Sequence, residues 1–259
     1  MKYRVLRGKS GVKEAYELMA ETYDKSKYLF WTRRLERGEE RAIRGWLKLL
    51  HKPCLDVGCG TGRYSLKLAG EGKRVIALDI SLKMIKKLLD KAERSSLLRN
   101  VDAVVGDGEK MPFRDRAFRS AICTLAFDHF ESPERAAGEL SRVLKGGSLC
   151  VVTTFNSITL GELQKRYSLG NKVPFRVERS LTVLVYEVGH SAEEVVSLFY
   201  RHRLKPLEVK GCCYWHVLPK PFAFIYPSCL DSFFGRFRAL LKYAEIHASL
   251  LRAEESTQN

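Results

Sequence analysis

Long apolar runs are missing from this 259-residue chain. Its longest, such as Leu181–Tyr186, fall far short of the roughly 18–20 residues that a membrane-spanning helix needs, so no span is expected. The N-terminal MKYRVLRGKS lacks the apolar segment of a secretory signal. The seven cysteines, Cys54, Cys59, Cys123, Cys150, Cys212, Cys213 and Cys229, form no CxxC pair, so neither a zinc site nor any other metal site is expected. Most sit in apolar runs and read as small buried hydrophobes in a reducing cytoplasm. There is no block of like charges, no internal repeat and no low-complexity segment. Disorder is excluded by the 45% hydrophobic content, and the length suffices for one large or two small domains.

What the chain does have is positive charge, 45 Lys+Arg against 30 Asp+Glu, a net +15. Such an excess raises the question of a nucleic-acid partner. Its distribution argues for a solvated surface instead. Residues 1–50 hold 13 basic and 7 acidic groups, residues 51–156 hold 18 and 13, and residues 157–259 hold 14 and 10. Heavy use of Lys, Arg and Glu is also compatible with a thermophilic source.

Residues 11–50 read as helical. From Pro53 the pattern becomes strand, turn, helix. Strands are predicted at Pro53–Val57, Lys73–Ile80, Val101–Val105, Arg119–Leu125 and Ser148–Phe155. Helices are predicted at Arg63–Ala69, after the N-cap Ser81, and over Pro133–Leu144 with Gly146-Gly147 as its C-terminal stop. Such alternation specifies an α/β fold with a mostly parallel sheet and helices on both faces, whose ligands bind at the carboxyl ends of the strands. Further on, a helix is predicted over Ile158–Ser168, a polar basic loop over Gly170–Ser180, a strand over Leu181–Val188, a capping box at Ser191–Glu194 opening a helix to Arg203, and a strand over Pro206–Trp215. A loop is expected around Pro219, Pro221 and Pro227, a helix over Cys229–Leu241, and a final strand over Ala244–Leu251, where a continued helix also fits the pattern.

The informative residues fall at the predicted strand ends. Leu55-Asp-Val-Gly-Cys-Gly-Thr-Gly62 occupies a strand-to-helix turn, where glycines allow positive φ or close approach of a ligand. Asp79 ends the second strand, 17 residues after Gly62, and a carboxylate there can accept both hydroxyls of a ribose. Asp107, flanked by glycines, ends the third. Three acids at three adjacent strand ends are hard to explain by packing.

Residues 53–156 resemble the class I S-adenosylmethionine-dependent methyltransferases, most closely the ubiquinone/menaquinone-biosynthesis group. The resemblance rests on LDVGCGTG at 55–62, ALDIS at 77–81, GDGEKMPF at 106–113 and ELSRVLKGG at 139–147. The last lacks the proline that the family usually places before the two glycines. A weaker match, YELMAETYD at Tyr16–Asp24, is similar to the family's aromatic segment over the cofactor. The resemblance implies a Rossmann-like seven-stranded sheet with the last strand antiparallel. It implies an N-terminal helical lid over 1–50, a cofactor-binding core over 51–156, and substrate-cap insertions and final strands over 157–259 of the same domain. It implies S-adenosyl-L-methionine as cofactor and S-adenosyl-L-homocysteine as product. Gly58 and Gly60 would lie against the methionine part, with Asp56 acting there through hydrogen bonds. Asp79 would take the ribose hydroxyls, Ile80 the adenine face, Asp107 and the Gly108 N–H the adenine edge, the Leu125 carbonyl the methionine amine. Tyr23 joins the cofactor-binding set.

On the acceptor side, His129 in Leu125-Ala-Phe-Asp-His129-Phe is the candidate base or orienting group, and Tyr16, Trp31 and His216 are candidate substrate contacts. Adjacent Cys212 and Cys213 on a strand would point to opposite faces, which argues against thiol chemistry. The expected activity is methyl transfer to a small molecule by in-line displacement. A methyltransferase for RNA or protein is the alternative, motivated by the charge and by basic loops around Lys165-Arg166 and Arg176-Arg179; no RNA-binding module accompanies them.

Overall fold

The computed structural model describes residues 2–26, 30–177, 181–214, 230–235 and 237–255. A seven-stranded sheet forms its centre. Its strands are β2 (Cys54–Val57), β3 (Val75–Asp79), β4 (Val101–Val105), β5 (Phe118–Thr124), β6 (Leu144–Phe155), β9 (Leu204–Cys212) and β10 (Ile246–Ala253). Their order is β4-β3-β2-β5-β6-β10-β9. β2 to β6 pair in parallel, and β10 lies antiparallel between β6 and β9. All four residues of β2 are buried, as expected of a strand covered on both faces.

Helices cover both faces. On one, α3 (Phe30–Leu49), α4 (Arg63–Gly70) and α5 (Leu82–Arg94) bury Ile43, Leu47, Leu68 and Leu88 against Ala77 and Ile122. On the other, α6 (Pro133–Val143) and α8 (Ala192–Arg201) bury Leu140, Val143 and Phe199 against Leu55, Val57 and Phe127. The Ser191–Glu194 capping box opens α8 as the sequence predicts.

Chain order in the sheet reverses between β2 and β5, so the chains leaving their carboxyl ends part and a crevice opens there. A second, three-stranded sheet lies beside it in the order β1-β8-β7, formed by β1 (Lys2–Val5), β7 (Lys172–Arg176) and β8 (Leu181–Tyr186). The helix α1 (Gly8–Met19) packs on this sheet through Val12, Ala15 and Met19 against Val183 and Val185. The N-terminal segment and the insertion before residue 187 therefore form one layer.

The structure departs from the sequence reading in four places. Residues 172–176 are a strand rather than loop: Val173 and Phe175 turn inward, and Pro174 is tolerated because β7 is an edge. Lys2–Val5 is also a strand, recruited by pairing with β8. Gly146 and Gly147 do not stop α6. That helix ends at Val143 with Leu144 already extended, and the glycines lie within β6, where its register against β5 shifts. The stretch read as one helix over Cys229–Leu241 holds a short helix, Leu230–Phe234, and a separate 3-10 turn, Arg238–Tyr243.

Phe199 is fully buried, with its ring centroid 5.2 Å from that of Phe127. Phe199→Ala is expected to lower stability by about 3–5 kcal/mol. A denaturant titration showing a loss below about 1 kcal/mol would contradict the assigned packing of α8.

Candidate active site

At the crevice, Gly58, Gly60 and Gly62 all have positive φ. Two of these positions have distinct reasons. A Cβ on Gly58 would lie 2.3 Å from the Ala126 Cβ, so the turn after β2 touches the chain leaving β5. A Cβ on Gly60 would meet no protein atom within 4 Å, and Gly60 lines a cavity of about 950 Å³. Asp79 braces the turn from β3. Its Oδ2 accepts from the Gly60 N–H at 2.8 Å and its Oδ1 from the Ser81 N–H at 2.9 Å. Each oxygen keeps a further lone pair. Burial pushes the Asp79 carboxyl up to about 6, against the lowering effect of those two N–H groups. Asp56, at the end of β2, accepts from Ser65 Oγ at 2.6 Å and is likewise pushed up to about 6 by burial.

Asp107 receives the Glu109 N–H at 2.9 Å and the Lys9 ammonium at 2.7 Å. Lys9 also reaches Glu109 at 3.1 Å. It is the first of several ties from α1 and the following turn to the strand ends. Glu17 accepts from Ser81 Oγ and the Lys83 N–H, Glu21 pairs with Lys87, and Asp24 takes Thr61 Oγ1 and Lys91. Phe130 covers Gly108: a Cβ there would lie 2.6 Å from its ring. Leu125 has φ +50, a left-handed conformation uncommon for leucine, and its N–H donates to Thr153.

The rest of the cavity carries the apolar side chains of Val12, Met19, Phe155, Leu160, Leu163 and Phe175, with Glu162, Arg166, Arg176, Glu187 and Glu245 among them. There Tyr16 Oη lies 2.7 Å from His129 Nε2, and His129 Nδ1 lies 2.8 Å from the Tyr186 carbonyl. A carbonyl only accepts, so Nδ1 carries the proton and Nε2 accepts from Tyr16. Burial pushes the Tyr16 phenol well above its ordinary value and the Tyr23 phenol to about 12.

Tyr16, Tyr23, Asp56, Gly58, Gly60, Asp79, Ile80, Asp107, Gly108, Leu125 and His129 all line this one cavity. Trp31 lies in α3, its side chain outside the described residues, as is His216 entirely. Cys212 and Cys213 do not line the cavity, nor do they face oppositely. β9 ends at Cys212, Cys213 takes φ +66, and both buried side chains pack in one cluster with Ile246, their thiols donating to the Ile246 and Leu35 carbonyls. No cluster able to hold a metal ion occurs among the described residues.

Sequence reasoning missed an ionic group under the glycine turn. Glu39, fully buried on α3, accepts from Arg63, from Tyr64 Oη at 3.2 Å and from Thr153 Oγ1. Arg63 lines the cavity, and its buried Nη1 makes no hydrogen bond; Glu36 stands 4.0 Å from it. The arginine in GTGR was a usable signal. Glu39 was not, since it sits in a charge-rich amphipathic helix.

Carbon-13 NMR of the side-chain carboxyls should show Asp56 and Asp79 titrating near pH 6. With the folded value raised above the unfolded one, each withdraws stability as pH climbs from about 4 to about 6, and the cost is constant above that window. Midpoints near pH 4 would contradict the burial of these two groups.

Residues 55–152 match the family described as a methyltransferase domain. A demethylmenaquinone methyltransferase of Renibacterium salmoninarum is 34% identical over 114 residues, 44% of this chain and 46% of that protein. A malonyl-[acyl-carrier protein] O-methyltransferase of Methylovorus sp. is 32% identical over 161 residues, 60% of this chain and 53% of that protein. The chain thus spans about half the length of the curated relatives it matches. Among solved structures, magnesium protoporphyrin IX methyltransferase from Synechocystis PCC 6803, with bound S-adenosylhomocysteine, superposes with a TM-score of 0.64 at 14% identity, over 95% of this chain and 99% of that one. The cyclase SpnF gives 0.66 at 17% identity, over 98% and 100%. Residues 55–152 thus match a methyltransferase-domain family, and the chain shares the fold of these solved structures.

Proposed function

We propose that the protein transfers a methyl group from S-adenosyl-L-methionine to a small, largely apolar acceptor. The observation that carries this reading is one cavity with two unlike halves. One half presents Asp56, Asp79, Asp107 and the buried Arg63 Nη1, which makes no hydrogen bond, around an open glycine turn; the other gathers the apolar side chains of Val12, Met19, Phe155, Leu160, Leu163 and Phe175 around Tyr16 and His129. The donor set fits the cofactor. Asp79 has a free lone pair on each oxygen for the two ribose hydroxyls, and Ile80 packs on the adenine. Asp107 and the Gly108 N–H read the adenine edge. Gly58, Gly60 and the Leu125 carbonyl hold the methionine part, with Asp56 behind them, and Arg63 takes its carboxylate. Tyr23 closes the site from above.

When bound, the cofactor supplies a methyl group already activated on a positive sulfur. The protein's contribution is then proximity, orientation and exclusion of water. Residues 1–50 act as the lid, drawn onto the strand ends by the ties of Lys9, Glu17, Glu21 and Asp24. Residues 51–156 hold the cofactor, and residues 157–259 complete the domain and cap the acceptor through Leu160, Leu163 and Phe175. His129, on the acceptor wall with Tyr16, orients the acceptor or takes its proton. Trp31 and His216 are further candidate contacts to the acceptor. The relative named for demethylmenaquinone supports an acceptor of this kind. Six free, buried cysteines support a reducing, cytoplasmic setting; the abundance of Lys, Arg and Glu suits a thermophilic source.

A labelled-methyl assay on cell extract, separated afterwards into small molecules, RNA and protein, tests the reading. The label is expected in the small-molecule fraction. Label in RNA or protein would favour the alternative acceptor class, and no transfer to any fraction would contradict the proposal.

A further inference from the structure

Resting on the methyltransferase reading, we infer that Tyr16, His129 and Glu187 form a proton relay that serves methylation of an acceptor hydroxyl oxygen. The three groups come from α1, from the turn after β5, and from the end of β8. Tyr16 donates to His129 Nε2 at 2.7 Å, while the Tyr186 carbonyl fixes the Nδ1 proton on the far side of the ring. Glu187 Oε1 stands 3.8 Å from the same Nε2. Glu187 is 5% exposed and lines the cavity, yet no hydrogen bond reaches its carboxylate among the described residues. Burial without a donor raises the Glu187 carboxyl above its ordinary range, and positive charge on His129 beside it lowers it again. The other charged or titratable groups acting on Tyr16 are Tyr23, Asp79 and Asp128, of which Asp128 accepts the Phe155 N–H. None of them is a cation, so the relay's positive charge has Glu187 as its nearest counter-ion.

His129 Nε2 is already occupied by Tyr16, so the group that meets the acceptor is Tyr16. Its hydroxyl oxygen retains lone pairs to accept a proton. The acceptor oxygen forms a bond to the methyl carbon with one of its electron pairs, and the carbon–sulfur bond breaks with its pair left on sulfur. The acceptor's hydroxyl proton passes to Tyr16 Oη as the proton of Tyr16 passes to His129 Nε2. The unit of positive charge lost from sulfur reappears on the imidazole, beside Glu187. Tyr16 is the catalytic residue here; His129 and Glu187 are positioning residues that act through it. A hydroxyl is a weak nucleophile until its proton leaves, and Tyr16 Oη is the group placed to take that proton.

Two readouts test this. In wild-type protein with ring-labelled histidine and no acceptor, the two-bond proton–nitrogen spectrum at mildly alkaline pH should show His129, identified by His129→Gln, with its proton on Nδ1. A proton on Nε2 would overturn the relay, and this measurement decides even where a variant fails to fold. For turnover, the probe is the extract fraction that accepts label. Tyr16→Phe should lower transfer about 100-fold and Glu187→Gln about tenfold, with S-adenosylhomocysteine affinity by calorimetry within about threefold of wild type. The product should carry a methyl ether by NMR. Wild-type rates in Tyr16→Phe, or a methyl group on carbon, nitrogen or sulfur, would overturn the inference. Failure of the wild-type protein to bind S-adenosylhomocysteine would instead overturn the reading on which it rests.

Discussion

The contact between the turn after β2 and the chain leaving β5 is the constraint from which the rest follows. Gly58 and Ala126 meet where the strand order reverses, and any side chain at 58 would overlap the Ala126 methyl. Because that contact is tight, the two carboxyl ends stay adjacent while the chains beyond them turn in opposite directions. The crevice between them holds Asp56 and Leu125. β3 and β4, stacked in register on β2, bring Asp79 and the Gly106–Gly108 turn to its rim. The three acids converge through sheet geometry rather than through contacts with one another.

Their convergence also explains the charge. A chain of net +15 keeps its basic groups spread along its length and places acids at the site. Burial raises Asp56 and Asp79 to about 6, so both are largely ionised near neutrality and remain so at a cost in stability. A cationic ligand would recover that cost, which suits the proposed cofactor, with its sulfonium, ammonium and single carboxylate. The same acids recruit the N-terminal segment: Lys9 on α1 pairs with Asp107.

Local patterns made the centre of the fold legible. β2 to β5 are apolar runs bounded by glycine or acid, and each was placed within about two residues. The glycine turn and the residues around it were legible because their spacing is itself the geometry of a strand-to-helix turn. What escaped depends on partners distant in sequence. β1 and β7 are short, polar-flanked edges that become strands only by pairing with β8. Lys9 meets Asp107 across 98 residues, and Glu39 meets Thr153 across 114. Cys213 left the alternation of its strand because the backbone there takes a positive φ. Glu187 closes β8 with no motif around it, and only the fold sets it beside His129.

Calorimetry with S-adenosyl-L-homocysteine tests the central claim most directly, because it probes the cofactor half of the cavity without an acceptor. The account predicts micromolar binding to the wild-type protein and at least tenfold weaker binding to Asp79→Ala. No binding to the wild-type protein, or equal binding to both, would contradict it.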